Sequence, residues 1–391
     1  MQRHRPAVLV SAFAAQLCLG ATYSWSVFVQ PLRELTGFSQ STLQLPFTLF
    51  YIAFPATMML AGTLLHRLGP RRCAVTGGLC FGCGWIVASL GSVSFLFTVL
   101  GIGLLGGIGV GLAYIVPIAV LVQWFPEHKG FVTGIAVAGF GGGAALIGQL
   151  AGRTLSSGAA TPFSLFAICG TIFALVVLLA AHALRFPPGH AAVAPPPLPA
   201  KEIVRQPVFV TLFAAMTAGL AAGFAVNANL KELSSAASIQ TGIAAVSFFA
   251  IANAAGRLTW GALFDRMRAR TALQVNLLVQ AVIVAASALL LGTPGGLLLF
   301  AALTGFNYGG VLVIYASAVA RMWGVERVGQ VYGLLFSANI LAAPAALIAG
   351  GVYDLTGGFA PVLYGLALLL AFAGVAVRRV STGVAAQATS D

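Results

Sequence analysis

Residues 242–270 read GIAAVSFFAIANAAGRLTWGALFDRMRAR. The first part is almost wholly apolar and the end is a charged turn. One full charge, Arg257, sits inside the apolar part, with Asn253 four residues before it. On a helix that spacing puts both side chains on one face. The next charge along the chain is Asp265, eight residues on, or roughly 12 Å of helix. If the segment spans a bilayer, Arg257 lies at hydrocarbon depth, where an arginine costs at least about 2.5–3.5 kcal/mol. Its side chain is too short to snorkel to the charged end. The acids Glu34, Glu127, Glu202, Glu232, Asp265, Glu326, Asp354 and Asp391 all fall at span ends or in loops. Arg257 therefore reads as ligand-facing, with structural pairing as the alternative.

The composition supports the bilayer. Of 391 residues, 59% are hydrophobic and 7% charged, with a mean hydropathy of +0.98, whereas soluble domains are about 25% charged. Repeated apolar runs mean a polytopic all-α membrane protein. The net charge of +12 falls in short loops between spans, so it reads as topology and no nucleic-acid partner is expected. No cleavable signal peptide is expected, because the first apolar run continues to full span length. Cys80 and Cys83 form a CxxC inside an apolar helix, without the context of a redox motif. The histidines lack metal-ligand spacing. No cofactor and no metal are expected.

Twelve spans are expected, near 7–31, 40–65, 72–91, 94–123, 129–152, 162–185, 207–229, 239–264, 271–292, 295–320, 328–351 and 358–378. The Pro/Ala-rich stretch between the sixth and seventh reads as a linker. This gives an N-terminal six-helix half at 1–185, a cytoplasmic linker at 186–206, a C-terminal half at 207–380 and a tail at 381–391. The halves repeat at an offset of 199 residues: Gly62, Leu64, Arg67 and Arg71 recur as Gly261, Leu263, Arg266 and Arg270, and Trp124, Gly130 and Gly134 as Trp323, Gly329 and Gly333. Two such halves are the plan of the major facilitator superfamily. Sixteen of the 20 Lys and Arg fall on one side of these spans and three on the other, with Arg257 in the membrane. The positive-inside rule then places both termini in the cytoplasm, in a multi-pass protein of the cytoplasmic membrane.

Gly101-Ile-Gly-Leu-Leu-Gly106 fits a dinucleotide fingerprint, but no strand precedes it. The pairs Gly107/Gly111 and Gly139/Gly143 suit close helix contacts, either static or at a seam where the halves slide. Pro46, Pro55, Pro117 and Pro344 lie within spans and are expected to kink them.

Five stretches carry a family resemblance: Tyr23-Ser-Trp-Ser-Val-Phe-Val-Gln-Pro31, Gly109-Val-Gly-Leu-Ala-Tyr114-Ile-Val-Pro117, Trp124-Phe-Pro-Glu-His-Lys-Gly130, Val137-Ala-Gly-Phe-Gly141 and Asn253-Ala-Ala-Gly-Arg257. On these the chain resembles the oxalate/formate antiporter family of the major facilitator superfamily, related to the monocarboxylate transporters. The superfamily's loop signature is similar to GTLLHRLGPRR at 62–72 and GALFDRMRAR at 261–270. The resemblance implies a conformational gate at Gly62, Arg67, Arg71, Gly261, Asp265, Arg266 and Arg270. His66 stands where the family usually has an acid.

The resemblance also implies that Arg257 meets a substrate carboxylate, with Tyr114 as a hydrogen-bond donor and Asn253 orienting the arginine or the ligand. A guanidinium fork matches a carboxylate bidentately. Tyr23, Trp25, Tyr308 and Tyr315 are further cavity candidates, with interface or packing roles as the alternative for each. Carriers of the oxalate dianion resemble one another in a lysine on the eleventh helix, where this chain has Asn339. One buried cation balances one negative charge. The expected function is therefore secondary transport of a small monocarboxylate (lactate, pyruvate or formate) by alternating access. A dicarboxylate (oxalate)/formate exchanger is the alternative, and a non-transporting receptor a distant one. An enzyme would need paired acids or an activated nucleophile in the spans. The coupled partner, a proton or a counter-anion, and the oligomeric state stay open; membrane lipid is the other partner.

Overall fold

A computed structural model describes residues 5–125, 129–187, 198–234, 238–324 and 328–379. The side chains of Gly62 and His66, most of the linker and the tail from 381 lie outside the described residues, as do Glu127, His128 and Glu326.

The described chain is helical almost throughout. The first six helical segments are α1 (5–36), α2 (40–68), α3 (70–92), α4 (95–124), α5 (Lys129–Ser156) and α6 (Pro162–Ala181). After the short linking helix Ala200–Arg205 come α7 (Pro207–Asn229), α8 (Ile239–Arg266), α9 (Ala269–Ala285), α10 (Pro294–Trp323), α11 (328–356) and α12 (Ala360–Ala376). Ten are long and apolar enough to cross a membrane, while α9 and α12 are shorter apolar helices. Both are cut short by a local change of winding. The α9 segment breaks at Ala286 and resumes over Ser287–Leu290, and α12 runs into a 3-10 turn over Val377–Arg379. Exposed side chains such as Leu299, Leu341, Leu368 and Phe372 cover the outside, as expected where lipid replaces water.

Breaks in the helices have local causes. α4 is interrupted at Tyr114, because Pro117 has no N–H to give the carbonyl of residue 113. At the same break the Tyr114 carbonyl accepts from Gln16 Nε2 of α1 at 3.1 Å. α11 is broken at Ser337 and again at Ala343, immediately before Pro344. Pro55 sits inside a continuous stretch of α2, and Pro46 falls in that stretch's first turn, where a missing N–H is harmless.

Glycines set how closely the helices approach. Gly84 of α3 and Gly101 of α4 lie backbone to backbone, so the apparent dinucleotide fingerprint is a packing seam, wound as a π-helix over Val99–Gly106. Gly107 and Gly111 face α2, and Gly139 and Gly143 face Phe13 and Leu17 of α1. The latter pair therefore packs within its own half and does not form the seam between halves.

That seam is carried by other residues. Gly134, Gly141, Gly148 and Gly152 of α5 face Leu258, Ala250, Val246 and Ile243 of α8. A Cβ added at Gly134, Gly141 or Gly148 would find its neighbour at 3.3–3.6 Å, but at Gly152 it would meet Ile243 at 2.7 Å. The contact is thus loose along most of its length and tight at one end. On the other side of the molecule, Gly350 of α11 lies 3.0 Å from Ser41 by the same measure, whereas Gly333 faces open space. Both seams are tight at the end away from Arg67, Arg71, Arg266 and Arg270.

Candidate functional site

Asn253 and Arg257 stand on the face of α8 that the sequence implied, and both are buried, with 3% and 6% exposure. Their positions follow from the packing of α8 on α10. Gly256 meets the Phe306 carbonyl, Gly305 that of Phe249 and Gly309 that of Asn253. Any side chain at these glycines would force the helices apart and carry Arg257 and Tyr308 with them. Behind this pair, Asn276 of α9 and Asn307 of α10 each donate to the other's backbone carbonyl, at 3.0 and 2.9 Å.

Two of the guanidinium's donors are engaged. Its Nε donates to Asn253 Oδ1 at 3.0 Å, and Nη1 makes a long 3.4 Å bond to the Val137 carbonyl of α5. Among the described residues no carboxylate lies within ion-pair distance; Arg321–Asp265, at 4.0 Å, is elsewhere. Because arginine only donates, Asn253 must present its oxygen to it. Asn253 Nδ2 is then a buried donor without an acceptor.

Aromatic rings close the space around the cation. The hydroxyls of Tyr23 and Tyr308 lie 3.5 Å apart, and Gly223 of α7 leaves room for the Tyr308 ring. Tyr23 stands edge-on to Tyr51 and Phe140, and Tyr51 lies 4.1 Å from Phe224 between ring centroids. Tyr114 packs edge-on against Phe54 and Phe140. The Arg257 charge acts on the hydroxyls of Tyr51, Tyr114, Tyr308 and Tyr332. A cavity of about 10 Å³, lined by Tyr23, Gly141, Ala144, Phe249, Ala250, Asn253 and Arg257, opens beside the guanidinium. That is about room for one water.

Not every candidate gathers here. Trp25 is turned into its own half, where its indole donates to the Leu43 carbonyl at 3.1 Å and stacks on Phe166; this corrects the cavity reading in favour of packing. Tyr315 is buried two turns along α10, its hydroxyl without a partner, and does not line the cavity. Asn339 is buried at the break in α11 and donates to the Phe336 carbonyl at 2.7 Å. Conversely, Tyr51, Phe140 and Phe224 went unremarked in the sequence, where an aromatic in an apolar helix carries no signal of what it faces.

The arginine-rich end lacks polar ties between the halves among the described residues, apart from Gln330 of α11, which grips Leu198 of the linker through both amide atoms at 3.1 and 2.6 Å. Arg67, Arg71, Asp265, Arg266 and Arg270 are exposed. Asp265 faces Arg321 of α10, and Arg270 donates to the Arg378 carbonyl, both within one half. The opposite end is fastened. Asp354 of α11 accepts from the Gln40 and Ser41 amides at 2.9 Å each, and Gln40 and Gln44 donate to Asn229 of α7 at 2.8 and 3.1 Å. Gln149 of α5 donates to Ser247 of α8 at 2.9 Å.

This architecture has known counterparts. A bacterial homolog of the human lysosomal transporter Spinster, solved in an inward-facing and unoccupied conformation, superposes with a TM-score of 0.73 over 97% of this chain and 98% of that one, at 17% identity. The oxalate:formate antiporter of Oxalobacter formigenes is 26% identical over 349 residues, covering 85% of this chain and 80% of the antiporter. Apicoplast pyruvate carrier 1 of Toxoplasma gondii is 28% identical over 368 residues, covering 73% of this chain and 65% of the carrier. The profile of the Major Facilitator Superfamily matches residues 10–339, nearly the whole bundle, and the chain therefore belongs to that superfamily of membrane transporters rather than to any class of enzyme.

Proposed function

We propose that the protein moves a small monocarboxylate of the lactate, pyruvate or formate type across the cytoplasmic membrane by alternating access. The observation that carries this reading is the state of Arg257: buried, without a carboxylate among the described residues, its Nε taken by Asn253, its Nη1–Nη2 edge carrying a long bond to the Val137 carbonyl, and the residue itself lining a cavity. That edge is the half of a guanidinium that grips a carboxylate bidentately. Tyr23, Tyr114 and Tyr308 supply hydroxyl donors around it, and Asn253 holds it in place. Residues 1–185 and 207–380 act as the two moving halves, joined by the linker at 186–206, with the tail at 381–391.

With the arginine-rich end in the cytoplasm, the fastened end is outside and the structure corresponds to the inward-facing state. Asp265, Arg266 and Arg270, with their counterparts Arg67 and Arg71, would engage when the cytoplasmic end closes. The relative from Oxalobacter favours a second reading, a dicarboxylate/formate exchanger, in which a counter-anion replaces a proton as the coupled partner. The neutral Asn339 weighs against it, since a dianion beside one cation leaves a surplus buried charge.

Uptake of radiolabelled mono- and dicarboxylates into proteoliposomes, with and without a pH gradient, tests both. Monocarboxylate uptake that is lost in Arg257→Ala is expected. Ligand binding without counterflow would instead make the protein a receptor, and oxalate uptake exceeding that of every monocarboxylate would favour the exchanger.

A further inference from the structure

The cavity beside Arg257 is built from both halves, and the two contribute different chemistry. α8 brings the cation and Asn253, which lines the space and whose buried Nδ2 is without a partner. The N-terminal half brings Tyr23 and, from α5, Gly141 and Ala144, which offer neither charge nor side-chain hydrogen bond; Gly141 faces Ala250 of α8 across the remaining gap. A carboxylate on the Nη edge would thus have its head on α8 and its tail between α5 and α8.

Those are the surfaces that must close on each other. Where the seam is shut, Gly152 is tight against Ile243, and at the level of the cavity the space is about 10 Å³. A longer tail could still reach Arg257 while the seam is open, since α5 touches the guanidinium only through the long bond to the Val137 carbonyl. It would then stand between Gly141 and Ala250 and hold the helices apart. We infer that Gly141 and Ala144 set the length of the acid that can be carried, and that they act at the closure of α5 on α8 rather than at binding to Arg257. The inference rests on the carboxylate reading of Arg257 and adds to it a step at which substrates are sorted.

The test separates binding from movement along a homologous series. Formate, acetate, propionate, butyrate and valerate are each measured for thermal stabilisation of the purified protein and, as labelled acids, for uptake into proteoliposomes. Binding is expected to hold or strengthen with length, while the maximal uptake rate falls at a definite carbon number. Gly141→Ala should move that cut-off one carbon shorter, with uptake of the acid at the limit falling about tenfold and its binding little changed. The new methyl meets the Ala250 carbonyl and Ala254 Cβ at 3.6 Å, an ordinary contact that lets the variant fold. Ala144→Gly should lengthen the cut-off and covers the case in which the first variant misfolds. Binding and uptake that decline together, or a cut-off unmoved in both variants, would overturn the inference and leave the monocarboxylate reading standing. A wild-type protein that neither binds nor moves any of the five acids, nor lactate or pyruvate, removes both.

Discussion

At the scale of the residue, Arg257 was legible because one charge in a long apolar run is costly and stands out. Asn253 was legible because a helix places residue i+4 on the same face. Their direction was not legible: it comes from Gly256, Gly305 and Gly309, which bring α8 and α10 into backbone contact. Trp25 could not be told from Tyr23, two residues away, because a local break in α1 over Gly20–Ser24 decides where each ring points. If Arg257 binds the carboxylate, Arg257→Ala should abolish ligand-dependent thermal stabilisation while the protein stays folded, since breaking such a pair costs on the order of 3–5 kcal/mol. Arg257→Lys keeps the charge but loses the fork, and most of the affinity should go with it. An Ala variant that melts early with or without ligand would make Arg257 a scaffold residue; one that keeps the full carboxylate shift would remove it from the site. The neutral Asn339 gives a companion prediction. Asn339→Lys adds a second cation and should lower monocarboxylate uptake relative to oxalate uptake, and an unchanged ratio would defeat the charge-balance argument.

At the scale of the element, the contacts that hold one end shut join helices far apart in the chain. The groups involved are Gln40 and Gln44 at the start of α2, Asn229 at the end of α7 and Asp354 near the end of α11. No periodicity or motif connects them, so a fastened end could not be foreseen, although the twelve spans and their repeat were legible in the sequence. The Asp354 carboxylate on two backbone amides is a charge-assisted contact, and Gly350 allows the close approach of Ser41 that it needs. Asp354→Ala should shift the population toward a state open at this end. Because the carboxylate is exposed, the shift should be modest, about 1 kcal/mol or less. The readout is spin labels on Leu35 of α1 and Leu355 of α11, both exposed at 56% and 89%. A distance distribution that matches wild type would show that the Gln40 and Gln44 contacts to Asn229 and the Gln149–Ser247 contact suffice to hold this end.

At the scale of the whole molecule, closing one end carries groups that were free in water into the space between the halves, and one of them can titrate. Glu232 follows α7, and both of its carboxylate oxygens are buried without a hydrogen bond, as are Nε and Nη2 of Arg33 at the end of α1. Burial pushes the Glu232 carboxyl up to about 8, and the nearby charges of Lys231 and Arg33 only partly offset it. The neighbouring Lys231 is lowered by the same burial, against the pull of Glu232 and Glu34. The sign follows from which state holds the proton. Between the ordinary carboxylate value of 4.5 and about 8, the closed end keeps Glu232 protonated, whereas an opened, hydrated end would release the proton. Closure therefore binds protons, so its stability is fully present below the ordinary value and is lost as pH rises through about 8. With the same pair of labels, the fastened end should close on acidification and open on passing to alkaline pH. Glu232→Gln, which cannot ionise, should flatten that dependence and stay closed at the higher pH. If the Gln variant opens with pH as the wild type does, the titrating group is another, and Lys231, buried in the same place with its affinity for a proton already lowered, is the next to substitute.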